Sequence, residues 1–123
     1  EYDDLIPDII LELEESIESA HQAGIDDHNI IIDPGIGFGK DLEQNLEVML
    51  RLRELCSLGY PLLLGTSRKS MIGKTLNLPA DDRVEGTAAT TAYGISVGAD
   101  IIRVHDVKEM RRVAEMTDAM VRR

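Results

Sequence analysis

The chain has 123 residues, enough for one domain or a part of a larger one. With no Trp and a single Phe its core must be aliphatic, and a net charge of −10 argues against nucleic acid, whose phosphates need a basic surface. No apolar run approaches the ~20 residues of a membrane span and no signal peptide is visible, so neither nucleic acid nor membrane is expected as a partner.

The chain does not begin with Met, and Glu1 is expected to mark a cut rather than a natural start. Apolar residues at Leu5, Ile9, Leu13, Ile17 and Ala20 predict a first helix over about 4–23. Asp3 or Asp4 can cap it, Pro7 falls in its first turn, and Gly24 stops it. Its acids, Glu12, Glu14, Glu15 and Glu18, read as solvated surface. A buried strand follows at 30–32, three β-branched residues in a row. The next helix is expected over about 42–58, with Leu42, Leu46, Met49, Leu50 and Cys56 inward and Gly59 as its stop. Cys56 is the single cysteine and reads as a buried thiol, which fits a reducing, cytoplasmic compartment. Pro61 opens a second strand at 62–64. A third helix, about 83–97, carries small residues on its inner turns (Gly86, Ala88, Ala89, Ala92, Gly94), which permits close packing. A third strand at 101–104 leads into a last helix over about 107–121, where Asp106 and Glu109 have capping-box spacing. The resulting fold class is α/β, a parallel sheet covered by helices with strands too apolar for a wet face. Three strands cannot close a barrel that needs eight, so the chain reads as a single partial domain, the back part of a larger (β/α)8 barrel.

Each strand ends in polar groups, and all of these belong to one face of such a barrel. Asp33 projects from the first strand tip before Pro34; a helix cap is the plain alternative. Gly35, Gly37 and Gly39 suit a tight loop, and their spacing does not match the dinucleotide fingerprint. Phe38, amid these glycines, is either a hydrophobic plug or a ligand wall. Beyond Gly65, Ser67-Arg68-Lys69-Ser70 brings two cations to a strand end, where solvated surface is the competing reading. Ser70 can cap a short helix whose amide dipoles attract an anion. Arg103 and His105 are two apart on the last strand and can face one side; Arg103 there points to a ligand or a salt bridge. His105-Asp106 also resembles the His-Asp pair of metal phosphohydrolases, but adjacent strand residues diverge and further ligands are absent. A carboxylate, two or three cations, an imidazole and an aromatic ring suit an electron-poor heterocycle with an anionic leaving group.

The ordered segments Asp33-Pro34-Gly35-Ile36-Gly37-Phe38-Gly39-Lys40, Ser67-Arg68-Lys69-Ser70, Arg83-Val84-Glu85-Gly86-Thr87-Ala88 and Arg103-Val104-His105-Asp106-Val107 resemble the dihydropteroate synthase family over almost the whole chain. Tyr2-Asp3-Asp4 is similar to the start of that family's fifth barrel helix. The resemblance implies a cytoplasmic transferase of folate synthesis, the target of sulfonamides. It joins 4-aminobenzoate to a pterin pyrophosphate, with Mg²⁺ as cofactor and a homodimer formed through the last helices. It implies that Asp33 binds the pterin's amino-pyrimidinone edge and that Lys69 meets the pterin carbonyl. Arg103 would stack on the pterin and hold the pyrophosphate with His105. Phe38 would wall the aminobenzoate pocket, and Ser70 would receive the carboxylate. Gly37, Gly65 and Arg68 complete the implied substrate-binding set, and Lys69, Arg103 and His105 the catalytic one. The family's metal-contacting Asn lies outside this sequence, so no metal ligand is expected within it and turnover by these residues alone is not expected. Two alternatives stand beside this: a half-barrel with weak pterin or anion binding only, and a methyltetrahydrofolate-binding methyltransferase barrel. The Ser67–Ser70 segment argues against the second.

Overall fold

The computed structural model describes residues 1–122. Helix α1 spans Leu5–Gln22, a single 3-10 turn covers Asp27–Asn29, and α2 (Leu42–Leu50) and α3 (Leu52–Cys56) follow. Strand β1 (Leu63–Leu64), α4 (Ser70–Leu76), α5 (Val84–Ser96), strand β2 (Ile101–Ile102) and α6 (Val107–Val121) complete the order. The two strands pair in parallel, Leu63 opposite Ile101 and Leu64 opposite Ile102. Ile32 joins the other side of β1 through one parallel bridge to Leu62, closed by hydrogen bonds of 2.9 Å to Pro61 and 2.8 Å from Leu63. Parallel neighbours need a crossover, and helices supply it here.

The three expected strands therefore lie side by side in chain order, but each is shorter than the runs 30–32, 62–64 and 101–104. Ladder hydrogen bonds need a neighbour, and Ile32 and β2 each have one on a single side among the described residues. The expectation of no wet face fails at Ile31, which is 54% exposed and shares an apolar groove with Leu13, Ile17 and Ile25.

The core is aliphatic as its composition requires: Ile6, Val48, Leu52, Leu55, Leu62 and Leu64 are fully buried. Each such side chain stabilises the fold by about 1.5–3 kcal/mol relative to exposure. The small residues of α5 let it sit close. A Cβ on Gly86 would strike Ile72 of α4, and one on Gly94 would strike Leu64 of β1.

Helix ends follow the sequence in outline and depart from it in their caps. Helix α1 starts and stops as expected, with Gly24 at φ +87° after it. Asp4 occupies the cap position without a side-chain bond; Asp8 reaches back instead and accepts the N–H groups of Asp3 and Asp4. The helix expected over 42–58 breaks at Arg51, whose guanidinium binds Glu47 and Glu54. Its buried stripe runs through Asn45, Val48, Met49, Leu52 and Leu55. Leu46 and Leu50 lie on the flanking i, i+4 row, so both are exposed rather than inward, Leu50 by 75%. Cys56 is half-buried rather than buried, and that burial pushes its thiol pKa up. Asp41 and Gln44 form a reciprocal capping box at α2 that the sequence reading did not include. The box expected at Asp106 and Glu109 does not form, because the Asp106 carboxylate is bound by Arg68.

Below the strands, Asp27 accepts a 2.7 Å hydrogen bond from the Tyr60 hydroxyl and lies 2.6 Å from His21 Nε2. These contacts tie the end of α1 to the segment entering β1 and hold the Asp27 carboxyl below its usual range. No helix among the described residues is long and apolar enough to cross a membrane.

Candidate substrate-binding site at the strand ends

The loop after Ile32 turns on Asp33. One carboxylate oxygen accepts the Gly35 N–H at 2.8 Å, and the other lies 3.4 Å from Arg103 Nη1. Gly35, Gly37 and Gly39 all take positive φ, a region that costs other residues a Cβ clash. The loop so formed aims carbonyl oxygens, not amides, at its centre. Lys40 donates to the carbonyls of Gly35 and Phe38 at 2.8 and 3.1 Å, and Lys69 donates to that of Ile36. It is a cation holder, which disposes of a phosphate cradle in these glycines.

Phe38 is 68% exposed, so it is no plug. Its ring centroid lies 5.0 Å from Lys69 Nζ, a cation–π distance. Gly37 lies against the same lysine: a Cβ there would come within 3.3 Å of Lys69 Cδ. Burial chiefly, then the charges of Arg103 and Lys40, push the Lys69 pKa down, while Asp33 opposes them. Burial likewise lowers that of Lys40, whose ammonium lies 5.6 Å from the Tyr2 ring centroid.

From the end of β2, Arg103 reaches Asp33 across the face of Gly65, where a Cβ would strike its guanidinium. His105 lines a cavity of about 120 Å³ with Arg103, Gly65 and Ser67. The structure thus brings Asp33, Gly37, Phe38, Gly65, Lys69, Arg103 and His105 to one end of the sheet. Arg68 is there as well, but its guanidinium is paired with Asp106 at 2.8 Å. Ser70 is exposed and lies inside the first turn of α4; Lys69, not Ser70, occupies the cap position.

Three residues that shape these strand ends were given no role of their own from the sequence: Lys40, Asn45 and Ser67. Asn45 had a signal, since a polar residue stands on the buried face of an apolar helix. Its Oδ1 accepts the Gly37 N–H at 2.9 Å, pinning the glycine loop to α2. Asn45→Ala is expected to destabilise the chain by about 1–2 kcal/mol, the cost of a lost hydrogen bond and an emptied buried position. Urea unfolding midpoints measure it.

These features define one class of protein: a parallel α/β barrel segment whose strand ends gather a carboxylate, two lysines, an arginine and a histidine. Residues 1–105 match the family model described as pterin binding enzyme, and the chain belongs to that family. It is 60% identical to the dihydropteroate synthase of Clostridium beijerinckii, over 100% of this chain and 46% of that protein. Identity to the Bacillus subtilis dihydropteroate synthase is 54%, over 98% of this chain and 42% of the relative. A crystal structure of dihydropteroate synthase from Clostridium difficile in the presence of pteroic acid superposes with a TM-score of 0.98 at 54% identity, over 100% of this chain and 47% of that one. The Yersinia pestis enzyme in a sulfonamide drug complex gives 0.94 at 43% identity, over 98% and 44%. The chain spans just under half the length of the curated relatives it matches. Its fold is α/β, part of a (β/α)8 barrel. Among the described residues no group of three or more His, Cys, Asp or Glu side chains could hold a metal ion.

Proposed function

We propose that residues 1–123 are a single partial domain, the C-terminal portion of a dihydropteroate synthase barrel. The reaction is the condensation of 4-aminobenzoate with 6-hydroxymethyl-7,8-dihydropterin pyrophosphate, releasing pyrophosphate, in folate biosynthesis. The observation that carries this reading is the Asp33 carboxylate beside Arg103 and Lys69 at the strand ends. It stands in a chain with a relative crystallised in the presence of pteroic acid.

In this reading Asp33 accepts the adjacent N–H donors of the aminopyrimidinone edge, where only an anion serves two donors at once. Lys69 donates to the pterin carbonyl. Arg103 lays its guanidinium on the pterin ring and, with His105, binds the leaving pyrophosphate. The bond from the exocyclic carbon to pyrophosphate breaks with its electron pair going to pyrophosphate. The aniline nitrogen then attacks that carbon and loses a proton. Phe38 walls the aminobenzoate pocket, Ser70 receives its carboxylate, and Arg68, paired with Asp106, borders the substrate site. Gly37 and Gly65 give the backbone close approach. The rate gain comes from charge placement and orientation. The Mg²⁺ implied by the family would be held by a residue outside this sequence and would supply positive charge to the leaving pyrophosphate.

The 123 residues by themselves bind without turnover. The protein acts in the cytoplasm as a homodimer through its last helices; exposed Met116, Met120 and Val121 on α6 support that association. Titrating the chain with the pterin pyrophosphate, followed by amide NMR, tests the reading. Binding of roughly 10 μM or weaker is expected, with shifts at Asp33, Lys69 and Arg103. Nanomolar affinity would show that the remaining strands matter little. Unperturbed amides at millimolar ligand would sink the assignment.

A further inference from the structure

Ser67, just past β1, is only 6% exposed and carries two contacts, both to one residue. Its Oγ accepts the backbone N–H of His105 at 3.0 Å and lies 2.7 Å from His105 Nδ1. No other partner of this hydroxyl occurs among the described residues. A hydroxyl offers one hydrogen and two lone pairs. If Nδ1 carried the ring proton, two donors would converge on Oγ and the buried hydroxyl hydrogen would have no acceptor. If Nδ1 is bare, Oγ–H donates to it while Oγ accepts the His105 backbone N–H, and the buried hydroxyl is satisfied in both roles. An orphaned buried donor costs more than the net worth of a hydrogen bond, so the second arrangement wins. The neighbouring Asp106 does not compete for the ring, because Arg68 holds its carboxylate at 2.8 and 3.4 Å.

We infer that Ser67 is a positioning residue that fixes neutral His105 in its Nε2–H tautomer. The ring then presents an N–H donor, rather than a lone pair, to the cavity it shares with Arg103 and Gly65. A donor beside a guanidinium suits a phosphate-type oxyanion; a lone pair would repel one. The identity of that anion as pyrophosphate rests on the function proposed above, whereas the tautomer does not.

Long-range proton–nitrogen NMR of the imidazoles tests this, recorded about two pH units above the ordinary His pKa of ~6.5. His105→Gln identifies the signals, since His21 and His28 remain in it. The expected His105 pattern is an unprotonated Nδ1 and a protonated Nε2; the reverse pattern overturns the inference. In Ser67→Ala the two nitrogen shifts should move toward each other, and Ser67→Thr should restore them. Should the alanine variant fail to fold, the wild-type pattern and the threonine variant still decide. With inorganic pyrophosphate as the probe, Ser67→Ala is expected to bind roughly tenfold more weakly and Ser67→Thr within about twofold of wild type. A folded Ser67→Ala with unchanged pyrophosphate affinity would overturn the positioning role. Failure of pteroic acid to bind, with the imidazole pattern as expected, would count against the proposed function alone.

Discussion

Asp33→Asn is expected to weaken pteroic acid binding by roughly 100-fold while leaving the chain folded. The substitution keeps an oxygen for the Gly35 N–H, which the carboxylate now accepts at 2.8 Å, so the turn into the loop survives. It removes the charge and puts an amide N–H₂ where, on the proposed function, the pterin edge would bring its own N–H groups. Donor then faces donor. Hydrogen bonds to a charged group contribute about 1.5–3 kcal/mol, and an unmatched pair adds a desolvation cost. The loss of the ion pair to Arg103 is a minor part of this. Both side chains are about half exposed, and pairs of that kind contribute well under ~1 kcal/mol. Asp33→Ala separates the two effects, since it also orphans the Gly35 N–H and should lower the urea midpoint as well. Equal affinity in wild type and Asp33→Asn, measured by calorimetry, would remove Asp33 from the site.

The elements that were legible in the residues alone are those decided locally. Helix α1 follows from an apolar period of 3.6, α1 and α5 each stop before a glycine (Gly24 and Gly98), and these two and α6 lie within a residue or two of their expected bounds. The break at Arg51 was not legible. It depends on how one guanidinium divides itself between Glu47 and Glu54, and neither propensity nor period registers that choice. Strand length was not legible either, because Ile30 and Ile31 are β-formers whose ladder depends on a neighbour, and only Ile32 has one among the described residues. At the site, a short apolar run ending in polar residues marked each strand tip. The pairings between tips were invisible, since Ser67–His105 and Arg68–Asp106 join residues 38 apart in sequence. Those pairings turned Arg68 into a brace and gave Ser67, unremarkable as a sequence position, a role in orienting a ring. The glycine loop shows the same limit. Its composition suggested close backbone approach, and only the positions of Lys40, Lys69 and Asn45 showed that its carbonyls face inward.

Gly65→Ala should leave the fold intact and still reduce pteroic acid and pyrophosphate binding by roughly 100-fold. Gly65 does not have a positive φ, so alanine meets no backbone penalty there. A Cβ at this position would strike the Arg103 guanidinium, closing to 2.9 Å from Cζ and 3.1 Å from Nε. The obstructed atoms are the far end of a flexible side chain that is about half exposed, so Arg103 can swing away at little cost in stability. Gly94→Ala makes a useful contrast, because there the obstructed atom is Leu64, fully buried in the core, and overpacking typically costs about 1–3 kcal/mol. At Gly65 the consequence falls on the ligand instead. A displaced guanidinium gives up the face that would stack on the pterin and the fork that would grip pyrophosphate, a charged contact that carries about 1.5–3 kcal/mol. An unchanged urea midpoint with lost binding is therefore the expected pair of results for Gly65→Ala, and a lowered midpoint with retained binding would reverse the argument. Arg103→Ala should reproduce the binding loss without the methyl group. If Gly65→Ala loses affinity and Arg103→Ala does not, the glycine serves close approach of the ligand itself rather than room for the arginine.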